Sequence, residues 1–169
     1  MHKLVAIERV VTWLWTAIIL IALLIVVKEA NAVEPTAEIK ANIAVLSQMY
    51  GIEPTLIQAI VKVESGYKKH KAGSSHKERG LMQLHPKYFP KAKFDVATNL
   101  RAGVKYLAKV RELCYPKYAD AWIVCYNLGP NHKRLKRPTQ FAYYRKVMHA
   151  KKQIEEKQVY ARNIAQSEG

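Results

Sequence analysis

Acidic residues are scarce in this sequence: its 169 residues hold 13 Asp and Glu against 28 Lys and Arg, a net charge of +15. Such an imbalance attracts an anionic partner, and nucleic acid, an anionic membrane surface and an anionic wall polymer all qualify. The two cysteines, Cys114 and Cys125, lack the close pairing of a metal knuckle. The histidines (His2, His70, His76, His85, His132 and His149) include no pair spaced for a zinc helix, so neither a metal nor any other cofactor is expected. Gly-rich phosphate loops, a Ser-centred hydrolase motif, internal repeats, low-complexity stretches and β-branched runs of period two are all missing. What remains is a chain that is 50% hydrophobic and of a length suited to one domain, which excludes intrinsic disorder for most of it.

One long apolar run is present. Val10 to Val27 is uncharged, contains Trp13 and Trp15, and is preceded by Lys3 and Arg9. At about 1.5 Å per residue such a run just spans a bilayer. Ala30 and Ala32 follow it with the small-residue spacing that signal peptidase needs, so cleavage before Val33 fits. The length of the run and its two Trp suit a retained anchor instead. Residues 1–32 are therefore expected to be a signal peptide or signal anchor, and under either outcome residues 33–169 are exported to the periplasm or cell envelope. Export demotes nucleic acid as a partner and favours the wall polymer, with the membrane a partner through residues 10–27 if they are not removed. Removing residues 1–32 takes away Lys3, Glu8, Arg9, Lys28 and Glu29, so the charge falls only to +14, and it belongs to the exported part.

That part reads as all-α. Ile39, Ile43, Leu46 and Met49 are at helical spacing and Gly51 ends their segment; Pro54 then opens a second helix that Ser65 and Gly66 close. Residues 67–79 read as a loop, followed by short turns at 80–84 and 86–91. Asp95 or Thr98 is positioned to cap a helix reaching about Leu113, with a turn at 115–117 and another helix over 118–126. Gly129 and Pro130 break it, and a last helical stretch runs from Thr139. The expected domain covers 33–152, with 153–169 a polar tail. In an oxidising compartment the two cysteines could bond, but a turn at 115–117 would place Cys125 about 12 Å along the next helix from Cys114, which favours free, buried thiols.

Glu64 does not fit the core. It lies one turn beyond Ile60 and Val61, on the stripe that should be buried. Burying a carboxylate is costly, so either a basic partner holds it ionised or apolar surroundings raise its pKa until it stays protonated near neutrality. The second state is what a general acid needs.

With its neighbours, Glu64 forms a series: Glu64-Ser65-Gly66-Tyr67, Gly80-Leu81-Met82-Gln83, Asn99-Leu100 with Gly103, Tyr106 and Leu107, then Tyr126-Asn127 with Gly129-Pro130, and finally Tyr144 with Val147. This order resembles the successive motifs of the soluble-type lytic transglycosylases, which share the lysozyme fold, over about residues 40–148. The resemblance implies cleavage of the β-1,4 bond between N-acetylmuramic acid and N-acetylglucosamine in peptidoglycan glycan strands. One glutamate, matched by Glu64, protonates the glycosidic oxygen and then takes the proton of the muramic acid C6 hydroxyl, closing a 1,6-anhydro ring. A lone glutamate suits this better than ordinary glycosidases, which need two carboxylates. The same resemblance implies substrate contacts at Ser74, at Met82 and Gln83, whose amide offers a donor and an acceptor, at Tyr126 and Asn127, and at Tyr144 as an aromatic closing the far wall.

The chain departs from the pattern by carrying Lys77 and Glu78 before Gly80. Glu78 pairs with a neighbouring cation or supplies the second acid of a muramidase, so hydrolysis stays open as the enzymatic alternative. An inactive, basic wall-binding or secretion-assembly protein is the alternative of another class. Wall turnover, secretion or conjugation machinery and phage entry or exit are all compatible settings.

Overall fold

The computed structural model describes residues 13–23, 33–72, 77–92, 94–131, 135, 137 and 141–167. The chain divides into two units, Met1–Glu34 and Pro35–Gly169. In the first, residues 13–23 form a helix, α1, whose side chains are all exposed. No described helix is long and apolar enough to cross a membrane, and much of the predicted run from 10 to 27, together with the candidate cleavage site, lies outside the described residues.

The second unit is mostly helical, with no strands among the described residues. Helix α2 (Ala37–Tyr50) begins where Thr36 Oγ1 accepts from the Ile39 amide at 3.3 Å, and it ends on Gly51 in the left-handed conformation. Ile39, Ile43 and Leu46 are buried as their spacing predicts, but Met49, the next-to-last residue of the helix, is exposed. Arg111, from a later helix, closes the end of α2 by donating to the carbonyls of Gly51 (2.6 Å) and Tyr50 (3.0 Å). Helix α3 (Pro54–Ser65) has proline in its first turn, where the missing N–H costs nothing, and buries Ile57, Ala59, Ile60 and Val61 completely.

Helix α4 (Val96–Tyr118) is capped by Asp95, whose Oδ1 accepts from the Thr98 amide at 2.8 Å. It runs past Leu113 and includes Pro116 in its last turn, where few further backbone bonds follow. A 3-10 turn (Ala119–Ile123) then leads directly into the short helix α5 (Val124–Leu128). This overturns the expectation of free thiols: the longer α4 and the tighter 3-10 return bring the two cysteines to a Cα separation of 6.7 Å, and they form a disulfide.

Helix α6 (Ala142–Ser167) packs along α3 and buries Val147, Ala150 and Ile154. It crosses position 152 without a break, so the expected tail continues the helix, with Ile154 still buried and residues 157–167 exposed. Lys151 bridges Glu53 (3.1 Å) and Glu155, pinning α6 to the start of α3. The far end of α3, where Glu64 sits, is thereby held against the first turns of α6.

Candidate active site

Glu64 stands in the last turn of α3, just before Ser65 and the left-handed Gly66 that closes the helix. Ser65 is buried and its hydroxyl donates back to the Val61 carbonyl at 3.0 Å, while Lys71 donates to the Glu64 carbonyl at 2.5 Å. Backbone and neighbours thus fix where the carboxyl points. It opens into a cleft of about 940 Å³ whose lining includes Lys71, Glu78, Gln83, Tyr106, Tyr126 and Asn127. That size is near the top of the range of about 300–1,000 Å³ usual for ligand sites.

The second wall is a loop built for close approach. Asn99, on α4 and fully buried, accepts from the Met82 amide through Oδ1 (2.9 Å) and donates to the Arg79 carbonyl through Nδ2 (3.1 Å). Gly80 holds φ +75°, and a Cβ there would lie 2.3 Å from Asn99 Nδ2; a Cβ on Gly103 would lie 2.3 Å from Met82 Sδ. Both glycines are needed because the loop sits directly on α4. Gln83 adopts φ 48°, a left-handed conformation unfavourable for a side-chain-bearing residue. Its Nε2 offsets this strain by donating to the carbonyls of Lys71 (3.0 Å) and Gly80 (2.8 Å).

Of the residues expected to touch substrate, Met82 and Tyr144 do not line the cleft, and Gln83 does. Met82 is fully buried against α4 and supplies its backbone to the loop, since its side chain fills the space that Gly103 leaves. Gln83 lines the cleft, but both amide hydrogens are committed to backbone carbonyls, so it retains an acceptor only. Tyr144 is half-buried against the core; the tyrosine that reaches the glutamate is its neighbour Tyr143, whose hydroxyl donates to Glu64 Oε1 at 2.9 Å. Sequence position could not separate adjacent tyrosines that differ by about 100° around the helix. Tyr126 and Asn127 do line the cleft, the Tyr126 hydroxyl donating to the Met82 carbonyl at 2.8 Å. Ser74 lies outside the described residues. Asn99, Tyr143, Phe89 and Tyr106 were not among the expected site residues; Phe89 and Tyr106 extend an aromatic row from the expected Tyr126, with centroids 5.3 and 5.5 Å apart. Asn99 had a signal, standing in a motif at the head of α4.

The electrostatics converge on one group. Burial pushes the Glu64 carboxyl up to about 7; the Tyr143 hydroxyl and the Lys71 charge pull it down, and Glu78 adds a smaller push upward. Burial, and next the charge of Glu64, hold the Tyr126 and Tyr143 hydroxyls well above the usual tyrosine range, so both stay protonated donors. A carboxyl near 7 is populated in both forms at neutral pH and can give a proton and take one back. Among the described residues, no group of three or more His, Cys, Asp or Glu side chains is arranged to hold a metal ion.

A helical domain with a largely buried carboxyl opening into an aromatic-walled cleft has the features that glycan-cleaving domains use for general acid and base chemistry. More narrowly, the family model of the transglycosylase SLT domain matches residues 41–148, more than half of the chain, and the chain belongs to that family. Its domains are lysozyme-like lytic transglycosylases that act on peptidoglycan in the cell envelope. No solved structure matches the chain.

Proposed function

We propose that this chain is an exported lytic transglycosylase that cleaves the β-1,4 bond between N-acetylmuramic acid and N-acetylglucosamine without water, Glu64 acting as acid and then as base. The protonated carboxyl gives its proton to the glycosidic oxygen as the C1–O bond breaks. The resulting carboxylate takes the proton of the C6 hydroxyl, whose oxygen bonds to C1, leaving a 1,6-anhydro end and returning Glu64 to its starting form. The observation that carries this is the Glu64 carboxyl, largely buried, held by the Tyr143 hydroxyl and open to the cleft; burial raises its pKa to about 7, which suits a group that must serve both steps. Tyr143 orients the carboxyl, and the disulfide supports passage to an oxidising compartment.

Glu78 lines the same cleft and supports a hydrolytic second reading, in which it would activate water and leave a reducing end. Digestion of purified sacculi separates the two, since anhydro muropeptides are one water lighter than hydrolysed ones. Anhydro products lost in Glu64→Gln are the expected result. Reducing ends would establish the muramidase instead, and lysis undiminished in Glu64→Gln would remove Glu64 from the mechanism. Binding of sacculi by both proteins, with no release from either, would leave a wall-binding module.

A further inference from the structure

We infer that Tyr88 is a preformed stacking platform for a pyranose ring, a saccharide subsite on the cleft wall separate from the position where Glu64 acts. Tyr88 lines the same cleft as Glu64 yet is 70% exposed, far more than the other tyrosines of the cleft, Tyr106 and Tyr126, which are packed into the aromatic row. An exposed large aromatic gains nothing for folding at that position. Its orientation is nevertheless set. The His85 ring lies 5.6 Å away at a tilt of 52°, and Lys87 Nζ stands 5.5 Å from the Tyr88 centroid over one face. His85 is itself held, because its Nδ1 accepts from the Lys87 amide at 3.1 Å, and the Tyr88 amide donates to the His85 carbonyl at 3.0 Å. The turn thus presents a ring that has a cation over one face and a neighbouring imidazole beside it, and that leaves most of its surface to solvent.

Sugar rings fit the exposed surface of Tyr88. A β-1,4-linked pyranose in its chair form carries equatorial polar groups and directs axial C–H bonds from its two faces, and those slightly positive hydrogens match the negative face of an aromatic ring. Because Tyr88 needs no reordering on binding, little entropy is lost when it engages. Its contribution is therefore available to be spent at the distant bond, as remote binding energy is in enzymes that act on polymers.

The inference rests on the proposal that a glycan strand occupies the cleft, and its test can fail separately. Glu64→Gln is titrated with N-acetylglucosamine oligomers of two to six units, followed by NMR of the tyrosine ring signals. Affinity is expected to step upward at the length that reaches Tyr88, with a shift of that ring's signals at the same step. Adding Tyr88→Ala should abolish the step, weakening the longer oligomers about 3- to 10-fold and leaving the shortest unchanged, as expected for one aromatic contact. Tyr88→Trp should restore it. An equal loss at every length, an intact step in Tyr88→Ala, or no recovery in Tyr88→Trp would overturn the platform. If the parent leaves sacculi uncut while the length-dependent step persists, the lytic function fails and the subsite stands.

Discussion

Replacing Glu64 by Gln should stabilise the folded domain at alkaline pH and leave its stability unchanged in acid. In the folded protein the carboxyl titrates at about 7, against an ordinary 4.5 in the unfolded chain. Below 4.5 it is protonated in both states and contributes nothing to the difference. As pH rises the unfolded chain releases its proton first, so stability falls with pH until the folded form also ionises near 7. At about 1.4 kcal/mol per pH unit, the rise is worth about 3 kcal/mol when complete. Gln carries no charge, and its Oε1 can still accept from Tyr143, so the variant keeps the local shape. Urea unfolding of both proteins with the disulfide intact, at pH values from about 4 to 9, gives the difference curve, in which titrating groups not coupled to Glu64 cancel. A gap opening between 4.5 and 7 in favour of the variant is expected, with midpoints separated by about 1–3 M at the alkaline end. A flat difference, or a gap that opens toward acid, would refute the claim that Glu64 is desolvated.

Three further outcomes follow from the same geometry. Tyr143→Phe removes a hydrogen bond to the carboxylate, which should lower kcat/KM about 10-fold or more on soluble glycan and move the alkaline limb of the pH profile upward, while Tyr144→Phe leaves both unchanged. Glu78→Gln removes a negative neighbour of Glu64, so that limb should move to lower pH; an unmoved limb would show that the two carboxylates do not interact. Gly103→Ala forces a Cβ to within 2.3 Å of Met82 Sδ and should cost about 1–3 kcal/mol by thermal unfolding, with loss of activity as the Gln83 turn shifts; an unchanged melting temperature would mean that α4 yields instead.

The helices were legible wherever local chemistry sets them. Gly51, Pro54, Gly66 and Asp95 mark ends that the structure keeps, because a cap or a turn is decided within a few residues. Glu64 was visible because a carboxylate on an apolar stripe contradicts its own periodicity. What failed to show were choices made by packing across the chain. The turn expected at 115–117 is instead the last turn of α4, and that extra length decides the fate of both cysteines. The choice between Tyr143 and Tyr144 depends on the rotation of α6 against α3, which packing and the bridge from Lys151 to Glu53 set from a distance. Asn99 stood in a motif, but its role as the peg of the Gln83 loop needs partners 17 and 20 residues away.

The direction of the hydrogen bonds sharpens the assignment of Glu64. Gln83, Tyr126 and Tyr143 each spend their donors inward, on Lys71 and Gly80, on Met82 and on Glu64 respectively. Lone pairs remain on the first two, and lone pairs suit the positive charge that develops at an anomeric carbon as its bond breaks. A proton delivered to the glycosidic oxygen cannot come from these three residues without dismantling the loop or releasing the carboxyl, whereas Glu64 gives one up near neutral pH at no such cost. On the proposed function the charge has a separate part: the +14 of residues 33–169 is expected to attract an anionic polymer in a salt-dependent way, whereas the raised pKa of Glu64 comes from desolvation and from neighbours inside the cleft, where added salt screens little.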